Sequence, residues 1–251
     1  MQLKISAVLC TYNEDFYLED CLNSISWADE IILCDMGSND NTLNIAMSYG
    51  CKIYNIPKVD FIELTRQKAV DLCSNDWICF VDPDFIFPSQ YIDVIKQKIC
   101  LDPKITCVGM FYVNHYKGHP IKHGRWGMKA RYPVLFRKNA MLLPTILHNG
   151  FNLKYGKTLK TGREVYLKHM WVRDEKHFYE KHNRYISKEG ERRYKLGYKP
   201  SSWRKLRLVI LMLYYYFKGG FLDGKIGYDL LKKSVWYEMQ SEEKLKEIYP
   251  N

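Results

Sequence analysis

An apolar run that ends in two acidic residues constrains the fold of this chain more than any other feature. Residues 77–81 (WICFV) form strands readily and contain no charged side chain, which is typical of a strand buried on both faces of a parallel sheet. The run stops at Asp82-Pro83-Asp84. Open α/β sheets bind their ligands at the carboxyl ends of strands, so this acidic triplet is a candidate site.

The triplet predicts a metal site if the strand geometry continues through it. Alternating strand side chains would point Asp82 and Asp84 the same way, toward one divalent cation, with Pro83 stiffening the pair. The alternative is a turn that only ends the strand, because Asp and Pro are also common turn residues.

Strand and helix patterns alternate through the first hundred residues. Buried-strand patterns at 3–10, 30–34 and 52–56 are each followed by helical spacing, which predicts an α/β fold with a doubly wound, mostly parallel sheet. Beyond residue 103, strand patterns at 106–116 and 131–136 predict a mixed extension of that sheet. A helix is expected at 175–195, and a basic, amphipathic helical tail follows it.

Charge is divided unevenly along the chain. Residues 1–100 contain 7 Lys and Arg against 15 Asp and Glu, whereas residues 101–251 contain 31 against 13. A basic second half indicates an anionic partner, such as phosphate, nucleic acid or a lipid surface.

The cysteines and the apolar runs indicate the compartment. All 8 Cys lie between Cys10 and Cys107 without a C-x-x-C motif, which indicates a reducing environment without structural disulfides. The first ten residues have a strand pattern rather than a secretory signal, and the longest apolar run, 208–217, is too short to span a bilayer. We therefore expect a cytoplasmic protein.

Polar residues follow three of the predicted strands, and their order and spacing resemble a known family. The matching stretches are 7–14 (AVLCTYNE), 29–42 (DEIILCDMGSNDNT), Arg66 in TRQKAV, and the acidic triplet at 82–84. Together they resemble family 2 glycosyltransferases of the GT-A fold, a Rossmann-like α/β architecture. The similarity extends over roughly the first hundred residues. Segments 179–185 and 217–224 resemble the bacterial lipopolysaccharide-core and capsule members.

The resemblance implies a role for each matching residue. In that family's pattern Asp35 holds the base or ribose, Asp40 shapes the same loop, and Arg66 lies near the diphosphate. Thr11, Tyr12 and Glu14 line the nucleotide pocket. Asp84 would bind Mg²⁺ or Mn²⁺, Asp82 would contact ribose or metal, and His169 would complete the metal site.

The function implied is that of a metal-dependent, inverting glycosyltransferase. It would move a sugar from a nucleotide-sugar donor, expected to be UDP-linked, to a hydroxyl of a lipid-linked or surface-glycan acceptor of the lipopolysaccharide-core, O-antigen or capsule type. The corresponding division of the chain is a nucleotide-sugar-binding half at 1–105, an acceptor-side half at 106–200, and the basic amphipathic tail at 201–251.

The catalytic base departs from the family's pattern. Related core transferases have His-Glu where this chain has His148-Asn149, so one expected carboxylate is missing. The remaining candidates are Glu164, Asp174 and His148, of which Glu164 is favoured.

Structural alternatives remain for these residues. Asp35 and Asp40 could be turn or helix-capping residues, Arg66 could form a surface ion pair, and His169 could be an ordinary core or surface histidine. Glu164 and Asp174 could be paired with neighbouring basic residues on the surface.

Other functions and other partners are also left open. A nucleotidyltransferase would be expected to have a basic, glycine-rich first loop, and a nucleic-acid-binding protein would not need three acidic strand ends. Neither alternative fits as well, and we expect no nucleic-acid partner. The tail could bind an anionic membrane at the inner face of the cytoplasmic membrane, or pack on the catalytic domain or on a second subunit as a homodimer.

Overall fold

The computed structural model describes residues 3–59, 64–143 and 151–249, apart from the side chain of Ser187. Two compact units are present. The first comprises Met1–Tyr112 and Ala130–Met170, and the second comprises Val113–Lys129 and Trp171–Asn251. The three-part division at 1–105, 106–200 and 201–251 stays a prediction, since it separates functions rather than compact units.

Four parallel strands form one side of the first unit. They are β1 (Ile5–Thr11), β2 (Glu30–Asp35), β3 (Lys52–Asn55) and β4 (Trp77–Phe80). Their order in the sheet is β3-β2-β1-β4, with every neighbouring pair parallel. All residues of β1 and β4 are buried, in keeping with their mostly apolar sequences. The predicted parallel sheet is therefore confirmed.

Helices connect these strands. They are α1 (Asp15–Ser24), α2 (Thr42–Ser48), α3 (Arg66–Asp71) and α4 (Ile92–Leu101). Helix α1 buries Leu18, Cys21 and Leu22, which recur at helical spacing. Gly50, just past α2, has φ +67°, the left-handed conformation in which helices often end.

The sheet continues with strands of both directions, as the sequence predicted. The longer ones are β6 (Ile105–Tyr116), β8 (Lys129–Arg137), β11 (Lys157–Lys160) and β12 (Tyr166–Val172), and the shorter ones are β5 (Phe85–Ile86) and β7 (His119–Pro120). Two further short strands, β9 (Met141–Leu142) and β10 (Asn152–Leu153), pair with each other in a separate antiparallel sheet. The order runs on from β4 through β8, β6 and β12 to β5. Both β4–β8 and β12–β5 are antiparallel. No strand was predicted between 146 and 173, and the sequence of β12 does not alternate regularly between apolar and polar residues.

Three long helices dominate the second unit. They are α5 (Glu175–Lys195), α6 (Ser202–Phe217) and α7 (Gly224–Ile248). Helices α5 and α6 both pack against α7. Buried Arg193 of α5 contacts Glu238 and Glu242 of α7 at 2.7 and 3.2 Å, which fixes these two helices together. Among the described helices, none combines the length and the hydropathy that crossing a membrane requires.

Candidate active site

The loops after β1 and β2 are joined by a set of hydrogen bonds. In each, a backbone amide of one loop meets a side chain of the other: Asn13 N to Ser38 Oγ (2.9 Å), Asn39 N to Asn13 Oδ1 (2.8 Å), Glu14 N to Thr42 Oγ1 (2.9 Å) and Asp15 N to Asp40 Oδ2 (3.3 Å). Asn13 has φ +56°, a conformation that Asn tolerates better than most residues. The predicted nucleotide-pocket residues are thus held in one preformed structure.

Asp35 is the centre of the second loop. Its carboxylate accepts hydrogen bonds from the amides of Gly37 and Ser38, both at 2.8 Å, from Ser38 Oγ at 2.6 Å and from Thr11 Oγ1 at 3.1 Å. The residue is 1% exposed. Gly37 has φ +86°, which lets the chain fold back over the carboxylate. In this structure Asp35 orders the loop, and its predicted contact with base or ribose stays a prediction.

Asp40 also orders the backbone around it. Its Oδ1 accepts from Thr42 N at 3.0 Å at the start of α2. Burial alone would raise the pKa of Asp40, but hydrogen bonds from Thr42 and the amide of Asp15 outweigh it, and the net shift is downward. Asp40 is therefore held ionised at the amino-terminal end of α2, where a negative charge is favourable.

Lys58 is a residue of this region that the sequence analysis missed. It follows β3, and its Nζ lies 3.6 Å from the centroid of the Tyr12 ring. The signal was present, because the strand β3 ends at the same sheet edge as β1, β2 and β4. The exposed ammonium adds a positive charge beside the predicted nucleotide pocket.

The acidic triplet corrects one premise of the sequence analysis. Strand β4 ends at Phe80, and Asp82 O accepts from Phe85 N at 2.9 Å, so Asp82 to Asp84 form a turn rather than a continuing strand. The physical reason is Pro83, which lacks an amide donor and fits the turn's dihedral angles. The strand-alternation rule therefore does not explain the placement of Asp82 and Asp84.

The charges of the two carboxylates nevertheless raise the pKa of neighbouring groups. Burial raises the pKa of the Cys21 thiol on α1, and the charges of Asp84 and Asp82 raise it further. Burial likewise raises the pKa of Tyr112 on β6, with Asp82 adding to the effect. Tyr112 was not predicted, since nothing in its local sequence indicates that β6 crosses near this turn.

Asp84 and His169 form a pair at the end of the turn. His169 Nε2 lies 3.1 Å from Asp84 Oδ2. Strand pairing fixes this geometry, because His169 is opposite Phe85 in the β12–β5 ladder and Met170 N donates to Asp84 O at 2.7 Å. The Phe85 ring packs edge-on against the imidazole with centroids 4.7 Å apart. The structure thus brings together two predicted metal ligands that are far apart in sequence.

The spacing of this pair fits a divalent ion. Two neighbouring ligands on an octahedral ion with bonds of about 2.1 Å lie about 3.0 Å apart, close to the separation of Asp84 Oδ2 and His169 Nε2. Among the described residues, no group of three or more His, Cys, Asp or Glu side chains forms a complete metal site. An ion here would therefore take other ligands from a bound diphosphate and water. Ligation by Asp82 stays a prediction.

Arg66 is buried beside the same sheet edge. The residue is 8% exposed, and its Nε has no hydrogen-bond partner in the described part of the chain. The guanidinium carbon lies 5.5 Å from the ring of Phe80 at the end of β4 and 5.0 Å from that of Phe151. A buried cation with an unused donor is suited to an anionic ligand.

The three candidate bases differ in setting. Glu164 is exposed in the turn before β12, outside the strand that contains His169. Asp174 caps α5 by accepting from His177 N at 2.8 Å, a hydrogen bond that lowers the pKa of Asp174 and weakens it as a base. His148 lies outside the described residues. The identity of the base stays a prediction.

The resemblance is confirmed by comparison with known proteins. The family model for glycosyl transferase family 2 matches residues 6–154, more than half of the chain, and includes the loops after β1 and β2 and the acidic triplet. The chain belongs to glycosyl transferase family 2.

Individual relatives match parts of the family 2 chain. An uncharacterized glycosyltransferase of Rickettsia bellii is 36% identical over 94 residues, 37% of this chain and 32% of the relative. The glycosyltransferase SunS of Bacillus subtilis is 25% identical over 169 residues, 59% of this chain and 40% of its own. A cholesterol galactosyltransferase of Borreliella burgdorferi is 26% identical, covering 44% of this chain and 33% of its own. The chain spans about a third of the length of the Rickettsia relatives.

Among solved structures, 46% of this chain is similar to a glucosyl-3-phosphoglycerate synthase from Mycobacterium tuberculosis. That structure is a complex with Mn²⁺, UDP and glucosyl-3-phosphoglycerate. The sequence identity is 23%, the match covers 45% of that chain, and the TM-score is 0.36.

Proposed function

We propose that this chain is a metal-dependent, inverting glycosyltransferase that uses a UDP-linked sugar and glycosylates a hydroxyl of a lipid-linked or surface-glycan acceptor. The observation that carries the proposal is the Asp84–His169 pair, held at 3.1 Å beside the interlocked loops of β1 and β2. Family membership supports sugar transfer as the reaction.

Different residues at this edge of the sheet would bind different parts of the nucleotide-sugar donor. Asp84 and His169 would hold Mg²⁺ or Mn²⁺, which supplies positive charge to the diphosphate when it is bound. Arg66 would give its unused donor to the same diphosphate. The nucleotide pocket would be shaped or lined by the predicted residues of the strand-end loops: Thr11, Tyr12, Glu14, Asp35, Asp40 and Asp82.

The proposed reaction develops negative charge on the diphosphate of the leaving UDP. An acceptor oxygen attacks the anomeric carbon, the bond from that carbon to the diphosphate oxygen breaks, and the electron pair leaves on UDP. Arg66 stabilises that negative charge, while the acceptor's proton passes to a base. A single displacement of this kind inverts the anomeric configuration.

A lipid-linked or surface-glycan acceptor would place the enzyme at the inner face of the cytoplasmic membrane. The Borreliella relative, named as a cholesterol galactosyltransferase, supports a lipid among the acceptors to be tested. The basic residues 101–251 support an anionic surface or acceptor.

Sugar transfer to lipid tests this proposal directly. Purified protein is incubated with Mn²⁺, labelled UDP-sugars and a bacterial envelope lipid extract, and label in the lipid phase is measured together with released UDP. We expect transfer with one UDP-sugar, loss of transfer in Asp84→Asn, and normal transfer in Asp93→Asn, an exposed aspartate of α4. A product that retains the donor's anomeric configuration would contradict the inverting reaction. In a parallel incubation with UTP and a sugar 1-phosphate, release of pyrophosphate would indicate nucleotidyl transfer instead.

A further inference from the structure

Helix α6 has an apolar face that nothing in the described part of the chain covers. Its inner side packs on α7 through Met212, which is buried. On the outer side five large apolar residues recur every three or four positions, so that they form one stripe: Trp203, Leu206, Ile210, Leu213 and Phe217. Trp203 is 76% exposed, Ile210 55% and Phe217 70%. We call this stripe the α6 face.

Two further exposed apolar residues follow the end of the helix. Phe221 and Leu222, in the turn between α6 and α7, are 49% and 60% exposed. With a rise of about 1.5 Å per residue, the stripe from Trp203 to Phe217 is about 21 Å long. A continuous exposed apolar surface of this size marks an interaction site rather than scattered surface residues.

The surroundings of the α6 face are strongly basic. Residues 199–225 contain six Lys and Arg and one acid, Asp223. Arg204 and Lys205 are paired with Glu242 and Glu243 of α7. Arg207 is exposed and has no carboxylate partner among the described residues. The face thus combines apolar side chains with excess positive charge.

A cavity of about 610 Å³ lies beside this face. Its lining includes Arg207 together with the apolar side chains of Leu208, Leu211 and Tyr214. Three more arginines line it, but each is paired: Arg192 and Arg193 with Glu189 at 2.8 and 3.0 Å, and Arg204 with Glu242 at 3.0 Å. Within the described part of the chain, Arg207 is therefore the arginine of this cavity that is available to a phosphate, next to a surface suited to a hydrocarbon chain.

We propose that the α6 face docks on a bilayer containing anionic phospholipid, with the apolar stripe in the interface and a lipid phosphate at Arg207. The positive charge around the α6 face argues against a second copy of this chain as the partner that covers it. A symmetric dimer through this face would bring two equally basic surfaces together, whereas an anionic bilayer complements them. Docking does not require that the first unit transfers sugar, so this proposal and the proposed function fail separately.

Vesicle sedimentation with matched variants tests the docking. Wild-type protein is mixed with vesicles of phosphatidylcholine alone or of phosphatidylcholine with phosphatidylglycerol. We expect binding to the anionic vesicles only, weakening with added salt, and a blue shift in the fluorescence of Trp203. The shift is assigned by its absence in Trp203→Phe.

Two variants change the face without touching a buried residue. Arg207→Glu changes two unit charges and should weaken binding about 30-fold, since each charge near an anionic surface is worth about fivefold. Ile210→Asn should weaken it about tenfold by removing apolar area from the interface. The controls are Lys176→Glu, on an 84% exposed lysine of α5, and Leu101→Asn, on a 76% exposed leucine of α4. Both should bind as the wild type does.

Several outcomes would overturn the proposal. They are no binding to either vesicle, equal binding to neutral and anionic vesicles, or equal losses in the control variants. A fluorescence shift produced by soluble glycerol phosphate alone would make the cavity a phosphate site rather than a membrane surface. A wild-type dimer that Ile210→Asn dissociates, without vesicle binding, would make the face a subunit interface.

Discussion

Replacing Arg66 by Met separates a ligand-binding role from a structural one. The guanidinium is buried, its Nε has no partner in the described chain, and it packs near two aromatic rings. Met keeps the unbranched stem of the side chain as far as the position of Nε, and it removes the guanidinium and its charge. The stability of the free protein and its affinity for UDP should therefore respond differently.

The magnitudes follow from these contacts. Loss of cation–π contacts with Phe80 and Phe151 costs about 0.5–2 kcal/mol each. Removal of a buried charge that has no carboxylate partner among the described residues recovers a desolvation penalty of several kcal/mol. We expect the free energy of unfolding of the free protein to fall by less than about 1 kcal/mol, or to rise. A hydrogen bond to a charged group is worth about 1.5–3 kcal/mol, so the Kd for UDP should increase roughly 10- to 150-fold.

Urea unfolding and titration calorimetry with UDP and Mn²⁺ measure the two quantities. Arg137→Met is the matched control, because Arg137 is a half-exposed arginine of the same unit that pairs with Asp76. It should lose less than about 1 kcal/mol of stability and bind UDP normally. If Arg66→Met loses more than about 3 kcal/mol in the free protein and keeps its affinity for UDP, Arg66 is a structural residue and our reasoning is wrong.

Three further variants test other features. Burial alone would raise the pKa of Glu30, but hydrogen bonds from Lys52, Ser6 and Ser74 outweigh it and lower the pKa from 4.5 to about 2. Because the unfolded chain binds more protons between these pH values, the ionised Glu30 stabilises the fold above pH 5. In urea unfolding, Glu30→Gln should therefore cost about 2–3 kcal/mol above pH 5, and this loss of stability should disappear toward pH 2. Burial lowers the pKa of His182 from 6.5 to about 4, so the free energy of unfolding of the wild type should fall by up to about 3 kcal/mol between pH 6.5 and pH 4. A His182→Phe variant whose free energy of unfolding falls equally steeply over this range would contradict the prediction. Lys58→Ala should weaken UDP binding severalfold in calorimetry, while Lys98→Ala on α4 should not.

The sequence predicted the sheet well because burial on both faces leaves an unmistakable pattern. β1 and β4 are fully buried, and their apolar runs identified them within a residue or two. Helix α5 was predicted at its observed limits, Glu175–Lys195. The strands after residue 140 were missed because most are short and only partly buried.

The site was harder to predict because it depends on contacts between distant segments. Asp35 could be placed at a strand end, but its four hydrogen bonds depend on how Gly37 and Ser38 fold back and on Thr11 in another strand. The burial of Arg66 depends on Phe151, which no local pattern links to it. His169 was identified through the family resemblance, and its contact with Asp84 needs the β12–β5 pairing.

Metal-dependent binding of UDP tests the central claim most directly. The free energy of unfolding is measured for wild type, Asp84→Asn and the control Asp93→Asn, with UDP in the presence and absence of Mn²⁺. At a ligand concentration of a hundred times Kd, UDP with Mn²⁺ should stabilise wild type and control by about 2.7 kcal/mol, and UDP without metal should stabilise them much less. The Asp84→Asn variant should lose the metal-dependent part. Equal stabilisation of Asp84→Asn, or no Mn²⁺-dependent stabilisation by UDP in the wild type, would contradict the assignment of this site.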